Sequence, residues 1–342
     1  MAPDLVAFAR RGSTGESRKV SHESDAGPAA LGRRHEWSEL PKALTREAEE
    51  LLGSRVLMAE SISLGFSPAV AARLRLLDGR SVFAKAVLPS WNRQTFEMHR
   101  REARISAALP EGAPAPRLLH SVANDTGVAL IFELLPGRPP VLPWRRSELR
   151  LVLADMEKLA RTLTPSPISC EPASEMPGFA DGFTRLRQMR DRGGDHLRDL
   201  DPWALAHLDQ MEDLERGYPE AARGDTLCHF DLRQDNILIH GEVVHYVDWA
   251  QARVGPEWLD LAAMLPSVAM QGGPLPWELF PFHPLGRLAP ADRLVTFVAA
   301  MTGYFLYRQQ LPPPPGIPTV RAFQRAQAKP SLAWLRQLLA AN

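Results

Sequence analysis

Short runs of period-two alternation dominate residues 55–87. Val56-Leu-Met-Ala-Glu-Ser-Ile-Ser-Leu leads to Gly65, and Val70-Ala-Ala-Arg-Leu-Arg-Leu-Leu leads to Asp78-Gly79. Ser81-Val-Phe-Ala-Lys85-Ala-Val follows as a third run. Alternation bounded by glycine-containing turns predicts three consecutive strands joined by hairpins. An amphipathic helix over residues 41–52 precedes them and stops at Gly53. A second helix over 95–109 is ended by Pro110, and Gly127-Val-Ala-Leu-Ile-Phe132-Glu133-Leu-Leu135 reads as a buried strand running into Pro136-Gly137.

After Pro143 the period changes to that of helices. Helical segments are expected over 147–164, 183–191, 202–216, 258–270, 290–311, 318–328 and 331–341, with the prolines of 312–315 forming a stiff loop. Residues 1–38 show no periodicity and read as a disordered tail. The pattern therefore predicts an α+β chain of two lobes around a cleft. Residues 39–136 form a β-rich N-lobe with one main helix, and 137–342 form a larger, mostly helical C-lobe.

One apolar segment of the helical half is interrupted by polar residues at fixed spacing. It reads His229-Phe-Asp231-Leu-Arg-Gln-Asp-Asn236-Ile-Leu-Ile, and after a hairpin at His240-Gly241 it continues to Val247-Asp248-Trp249. A carboxylate at Asp231 can accept a hydroxyl proton, and the Asn236 amide and Asp248 carboxylate supply oxygen ligands for Mg²⁺ beside nucleotide phosphates. His229 and Asp260 are expected to brace the loop. Arg233 and Asp235 read equally as an ion pair, as substrate contacts or as solvated residues.

Lys85 lies mid-strand in a Val-x-x-Lys context, where a charge needs a partner, and it would reach nucleotide phosphates. Glu102, ahead of the inward Ile105 and Ala108, is the preferred carboxylate over Glu97. The turn Ser63-Leu-Gly65-Phe66-Ser67-Pro68-Ala69 is poor in glycine but stands between two strands ahead of Lys85, where Gly65 and the Ser67 hydroxyl can face phosphates. The backbone of Glu133 and Leu135 is where an adenine would pair.

Composition narrows the partners. Forty basic and forty acidic residues give zero formal net charge, so no global field draws the chain to nucleic acid or anionic membrane. No apolar run reaches the ~18 residues of a membrane span, and no secretory leader is expected in the first residues. Only two cysteines, Cys170 and Cys228, argue against a disulfide framework and fit a reducing cytoplasm.

Together these residues resemble the aminoglycoside phosphotransferase family, the small-molecule relatives of protein kinases that include choline kinase and homoserine kinase types. The resemblance rests on Gly65-Phe-Ser-Pro, Val82-Phe-Ala-Lys85, Glu102, the hinge at 132–137, the His229 to Asn236 loop, Val247-Asp248-Trp249 and Asp260-Leu-Ala. It implies a protein-kinase-like fold, with Asp231 as catalytic base, Asn236 and Asp248 as metal ligands, and Lys85 with Glu102 as the phosphate-positioning pair. It implies ATP and Mg²⁺ as cofactors, GTP being an alternative donor, and a small-molecule hydroxyl as acceptor. Asp248 is followed by Trp-Ala-Gln and no Ala-Pro-Glu segment follows at activation-segment distance, which argues against a protein-kinase reading. A nucleotide-binding pseudokinase that regulates a partner is the remaining alternative. A polycationic acceptor would need carboxylates near Asp231, for which Asp181, Asp191, Asp195 and Asp225 are candidates.

Overall fold

A computed structural model of the chain describes residues 34–62, 65–193, 197 and 200–341. The N-lobe carries helix α1 (Lys42–Leu52), strands β1 (Val56–Ser61), β2 (Val70–Leu76) and β3 (Ser81–Val87), helix α2 (Arg93–Ala108), and strands β4 (Leu118–Asn124) and β5 (Gly127–Glu133). The five strands form one antiparallel sheet in the order β1-β2-β3-β5-β4. Side-chain alternation sends Val82, Ala84 and Ala86 to one face, where they pack with Leu44, Ala48 and Leu52 of α1. The opposite face sets Phe83 and Val87 against Phe96 and Ala103 of α2. Lys85 shares that second face, so the period of the strand aims it at α2. Gly53 ends α1 with φ +65°, a left-handed turn that glycine adopts without Cβ strain.

Two expectations for this lobe need correction. Strand β4 was not legible: only Val122 of its seven residues is buried, so this edge strand lacks a clear alternation. The tail expected over 1–38 is too long, because residues 34–38 pack on the lobe. Trp37 is buried in the α1 face of the core, and the His35 ring stacks on Trp91 at 3.8 Å. Residues 1–33 lie outside the described residues.

The C-lobe contains α3 (Arg146–Thr162), α4 (Gly182–Asp191), α5 (Pro202–Ala206), α6 (Leu208–Glu215), α7 (Tyr218–Ala221), α8 (Leu259–Met270), α9 (Pro276–Leu279), α10 (Pro284–Arg287), α11 (Ala291–Arg308) and α12 (Val320–Ala340). Two small antiparallel pairs lie among them. Strand β6 (Thr226–Cys228) pairs with β9 (Arg253–Gly255), and β7 (Ile237–His240) forms a hairpin with β8 (Val243–Tyr246). The helix expected over 202–216 breaks at His207, whose Nδ1 lies 2.7 Å from the Trp203 carbonyl oxygen. The two helices expected on either side of Pro330 are one. Pro330 removes a backbone donor at a cost of about 3 kcal/mol. Burial of Ala328, Leu332, Trp334 and Leu335 outweighs this, and Ser331 Oγ donates to the Gln327 carbonyl at 2.8 Å.

The lobes are joined through the segment after β5. Gly137 has φ +121°, and a Cβ there would meet the Ile239 carbonyl oxygen at 2.8 Å. Arg138 N–H donates to Ile239 O and Ile239 N–H donates to Arg138 O, at 3.1 and 2.8 Å. The connector is thus pinned to β7, the strand that begins beside Asn236. Among the described residues no helix is long and apolar enough to cross a membrane.

Candidate active site

A cavity of about 740 Å³ opens between the lobes. Its roof is β2, β3 and the turn at 65–69; its back is the 133–137 connector; its floor includes Asn236, Leu238 and Asp248. Such a volume suits a ligand of nucleotide size.

Lys85 sits at the inner end. Its Nζ lies 2.7 Å from Glu102 Oε1 and 3.1 Å from Asp248 Oδ1, joining strand β3, helix α2 and the turn two residues past β8. Asp248 adopts φ +68°, a left-handed conformation uncommon outside glycine. Burial pushes its carboxyl up, but Lys85 and neighbouring His99 outweigh that and hold it down at about 2. Glu102 behaves oppositely: burial raises it to about 7 despite Lys85. Lys85 itself loses to burial but is held above the usual lysine value by Asp248 and Glu102. The ammonium thus bridges two carboxylates, with the shorter contact to Glu102.

Asp231 lies beyond Asn236, outside the cavity lining, and its side chain is 29 % exposed. Arg233 Nη1 donates to its Oδ1 at 2.5 Å, while Asn236 Nδ2 donates to its carbonyl oxygen at 2.8 Å and to Oδ2 at 3.2 Å. These bonds commit the amide nitrogen of Asn236, which leaves its oxygen as the atom able to hold a cation. Burial raises Asp231 to about 6, with Arg233 pulling the other way. Arg233 also makes a bidentate pair with Asp235, both contacts at 3.0 Å. This selects the ion pair from the three readings of these residues.

The loop is fixed from below. Phe230 has φ +64°, strained for an aromatic residue, and Asp260 accepts the N–H groups of His229 and Phe230 at 2.7 and 2.8 Å. His229 is fully buried, and burial lowers it to about 4, so its ring is neutral. Its Nε2 lies 2.9 Å from the Val247 carbonyl oxygen, and its Nδ1 accepts the Asp231 N–H at 3.3 Å. Only the Nε2–H tautomer satisfies both contacts. The ring thereby ties the Asp231 loop to the strand that delivers Asp248.

At the roof, the Ser67 carbonyl accepts Arg34 Nη1 at 2.7 Å, and Gly65 turns with φ +94°, where a Cβ would meet Arg34 Nη2 at 2.9 Å. Ser63 and Leu64 lie outside the described residues. Phe66 projects toward the C-lobe. The Arg233 guanidinium carbon lies 5.6 Å from both the Phe66 and Phe323 rings, which themselves meet edge-on at 5.0 Å. At the connector, Glu133 N–H already donates to the Arg117 carbonyl at 3.0 Å, and Glu133 and Leu135 both line the cavity.

Arg34 and His99 are among the cavity residues not singled out from the sequence. Arg34 fell in the aperiodic tail. His99 is buried on α2 one turn before Glu102, and its Nε2 has no hydrogen-bond partner among the described residues. Burial and Lys85 lower it to about 3. Its signal was present, since His99 shares the inward stripe of Phe96, Glu102 and Ala103.

The carboxylates considered for a cationic acceptor do not converge on Asp231. Asp181 pairs with Arg185 at 2.7 Å, and Asp191 pairs with Arg187 and Arg190. Asp225 precedes β6 while Asp231 follows it, so the two stand at opposite ends of one strand. Asp195 lies outside the described residues.

Residues 59–280 match the phosphotransferase enzyme family. The chain is 25% identical over 206 residues to an aminoglycoside 3'-phosphotransferase of Streptomyces ribosidificus, covering 57% of this chain and 75% of that protein. It is 26% identical over 171 residues to a streptomycin 3''-kinase of Streptomyces griseus, covering 47% of this chain and 62% of that protein. Its fold resembles that of a thermostable mutant of aminoglycoside phosphotransferase APH(4)-Ia, solved as a ternary complex with AMP-PNP and hygromycin B. That likeness has a TM-score of 0.57 at 15% identity, over 86% of this chain and 98% of the other.

Proposed function

The chain belongs to the phosphotransferase enzyme family, and from that membership we propose that it transfers the terminal phosphoryl group of ATP, taken as its magnesium complex, to a hydroxyl of a small molecule. The observation that carries this reading is Lys85 held between Glu102 and Asp248 at the inner end of a nucleotide-sized cavity. The Glu133 carbonyl and Leu135 amide receive the base, and Lys85 receives the phosphates beneath Gly65 and Ser67. GTP is the alternative donor, because the connector offers only backbone groups to the base.

The donor set fits Mg²⁺. One carboxylate held ionised, at Asp248, and one amide oxygen, at Asn236, leave room for phosphate oxygens. When bound, Mg²⁺ neutralises charge on the phosphate oxygens. The chain does the rest. Asp231 takes the proton of the acceptor hydroxyl as its oxygen bonds to phosphorus, and the bridging P–O bond breaks with its electron pair leaving on ADP. Arg233, bonded to Asp231, keeps that base anionic and close to the transferred group. His229 and Asp260 hold the loop. Two free cysteines suit work in the cytoplasm.

The test is an ADP-release assay over aminoglycosides, macrolides, amino alcohols and sugars with Asp231→Ala as the blank. Acceptor-dependent release that disappears in the blank is expected; turnover surviving in Asp231→Ala would sink the assignment.

A further inference from the structure

Arg101 and Glu102 are neighbours on α2 but face different parts of the molecule. Successive helical residues point about 100° apart. While Glu102 reaches Lys85, Arg101 reaches across to the C-lobe. Its Nη2 donates to the Ala252 carbonyl at 2.6 Å and lies 2.9 Å from Glu171 Oε2 and 3.7 Å from Cys170 Sγ. The Cys170 thiol donates to the same carbonyl at 3.0 Å. The Arg101 side chain is only 15 % exposed, so these contacts are largely shielded from water and salt.

The anchor point lies beside the site. Asp248 opens the short turn 249–251 and Ala252 closes it, its N–H donating to the Trp249 carbonyl at 3.0 Å. Ala252 leads into β9, which pairs with β6, the strand that runs into His229 and Asp231. Glu171 is joined to the same strand, its carbonyl accepting the Val254 N–H at 3.0 Å. One guanidinium therefore ties the helix of Glu102 to the segment that sets both Asp248 and the Asp231 loop. The contacts close a ring: Lys85 to Glu102, along α2 to Arg101, across to Ala252, back along the chain to Asp248, and from Asp248 to Lys85. Phe96 and Ala103 fix α2 on the N-lobe sheet, whereas Arg101 fixes it on the C-lobe.

We propose that Arg101 is a positioning residue for phosphoryl transfer, holding the N-lobe pair Lys85–Glu102 in register with Asp248 of the C-lobe. This rests on the kinase reading above and adds to it the part that aligns the lobes. Lys85 and Asp248 meet directly at 3.1 Å. Once Lys85 turns to phosphate oxygens and Asp248 to a cation, that contact is given up, and the Arg101 bridge remains to set their spacing. Mg²⁺ demands near-ideal octahedral geometry, so a small shift between the lobes weakens its joint coordination by Asp248 and the phosphates. Arg101 itself touches no reacting atom.

Calorimetry with AMP-PNP, with and without Mg²⁺, reads this register apart from turnover. The unaltered protein should bind AMP-PNP more tightly with Mg²⁺ than without. Arg101→Gln should cut that magnesium gain about tenfold or abolish it, the scale of a charge-assisted hydrogen bond, while metal-free affinity stays within about twofold. Its kcat should fall by a similar factor, with the acceptor KM little changed. Arg104→Gln is the control: Arg104 also pairs with Glu171, at 3.7 Å, but its side chain is 73 % exposed. It should leave the gain and kcat within about twofold. If Arg101→Gln does not fold, Glu171→Lys stands in for it. That side chain is 47 % exposed, and the new charge would repel Arg101 and lower the gain in the same direction. A magnesium gain left intact in Arg101→Gln, or in its stand-in, overturns the proposal while the kinase reading stands. An equal loss with and without Mg²⁺, which marks general damage, does the same, as does an equal loss in Arg104→Gln, which marks surface charge. Failure of the unaltered protein to bind AMP-PNP, or to gain from Mg²⁺, overturns the kinase reading and with it the proposal.

Discussion

Arg233 Nη1 donates to Asp231 Oδ1 at 2.5 Å, so the proposed base carries a cation before any acceptor arrives. Its second oxygen is touched by Asn236 at 3.2 Å. An incoming hydroxyl therefore shares the carboxylate with Arg233 rather than finding it bare. Asp231→Asn preserves the shape and removes the base. It should lower kcat by about 10²–10⁴ while leaving AMP-PNP affinity unchanged. Steady-state kinetics beside nucleotide calorimetry separate the two effects, and an equal loss in both would count against the role of Asp231.

The triad around Lys85 predicts a stability change with a definite pH sign. Glu102 has a folded pKa near 7, above its unfolded value, so its contribution is present at low pH and is lost as pH rises through about 7. Lys85→Met removes the cation that offsets its charge. The variant should be destabilised by about 3–5 kcal/mol at pH 8 and by distinctly less at pH 6, where Glu102 takes a proton. Urea unfolding at the two pH values reads this directly. A larger loss at pH 6 would contradict it.

Phe66 and Phe323 flank Arg233 from opposite lobes. Phe66→Leu keeps an apolar side chain and removes one aromatic face, a loss of about 0.5–1 kcal/mol. With the turn at 65–69 held less firmly, the KM for ATP should rise about two- to fivefold, with a smaller change in kcat. An unchanged KM would mean the turn is fixed by other contacts.

Arg34 ties the segment ahead of α1 to the Ser67 carbonyl inside the interlobe cavity. Arg34→Gln should weaken Mg·AMP-PNP binding more than it lowers kcat, whereas removal of residues 1–33 alone should leave nucleotide binding intact. Calorimetry on both variants decides between a role for this residue and a role for the whole segment.

Burial raises both cysteine thiols, Cys228 well above the usual value, and the thiolate is the reactive form. At pH 8 a disulfide reagent such as DTNB should therefore react slowly with half-buried Cys170 and leave buried Cys228 untouched until the protein is unfolded. Two fast equivalents from the native protein would refute this.

The strands and their faces were legible because period two survives in β2 and β3, while β5 reads as a continuous apolar run buried on both faces. That alternation alone aims Lys85 toward α2 and Glu102. Edge strand β4 was silent because it buries one residue. Pro330 misled because a local rule was outweighed by the packing of α12. The spacing of Asp231, Asn236 and Asp248 marked the candidate site. Nothing local linked it to Arg34 or to Phe323, whose closeness arises only when the lobes assemble.

The Phe66–Arg233–Phe323 clasp also orders events during synthesis. Its outer members lie roughly 260 residues apart, and a ribosome takes on the order of 10–50 s to cover that distance. A nascent N-lobe can close its sheet around Lys85 in that interval. The turn at 65–69, however, waits for a helix not yet made, so the finished mouth of the interlobe cavity is among the last features the growing chain acquires.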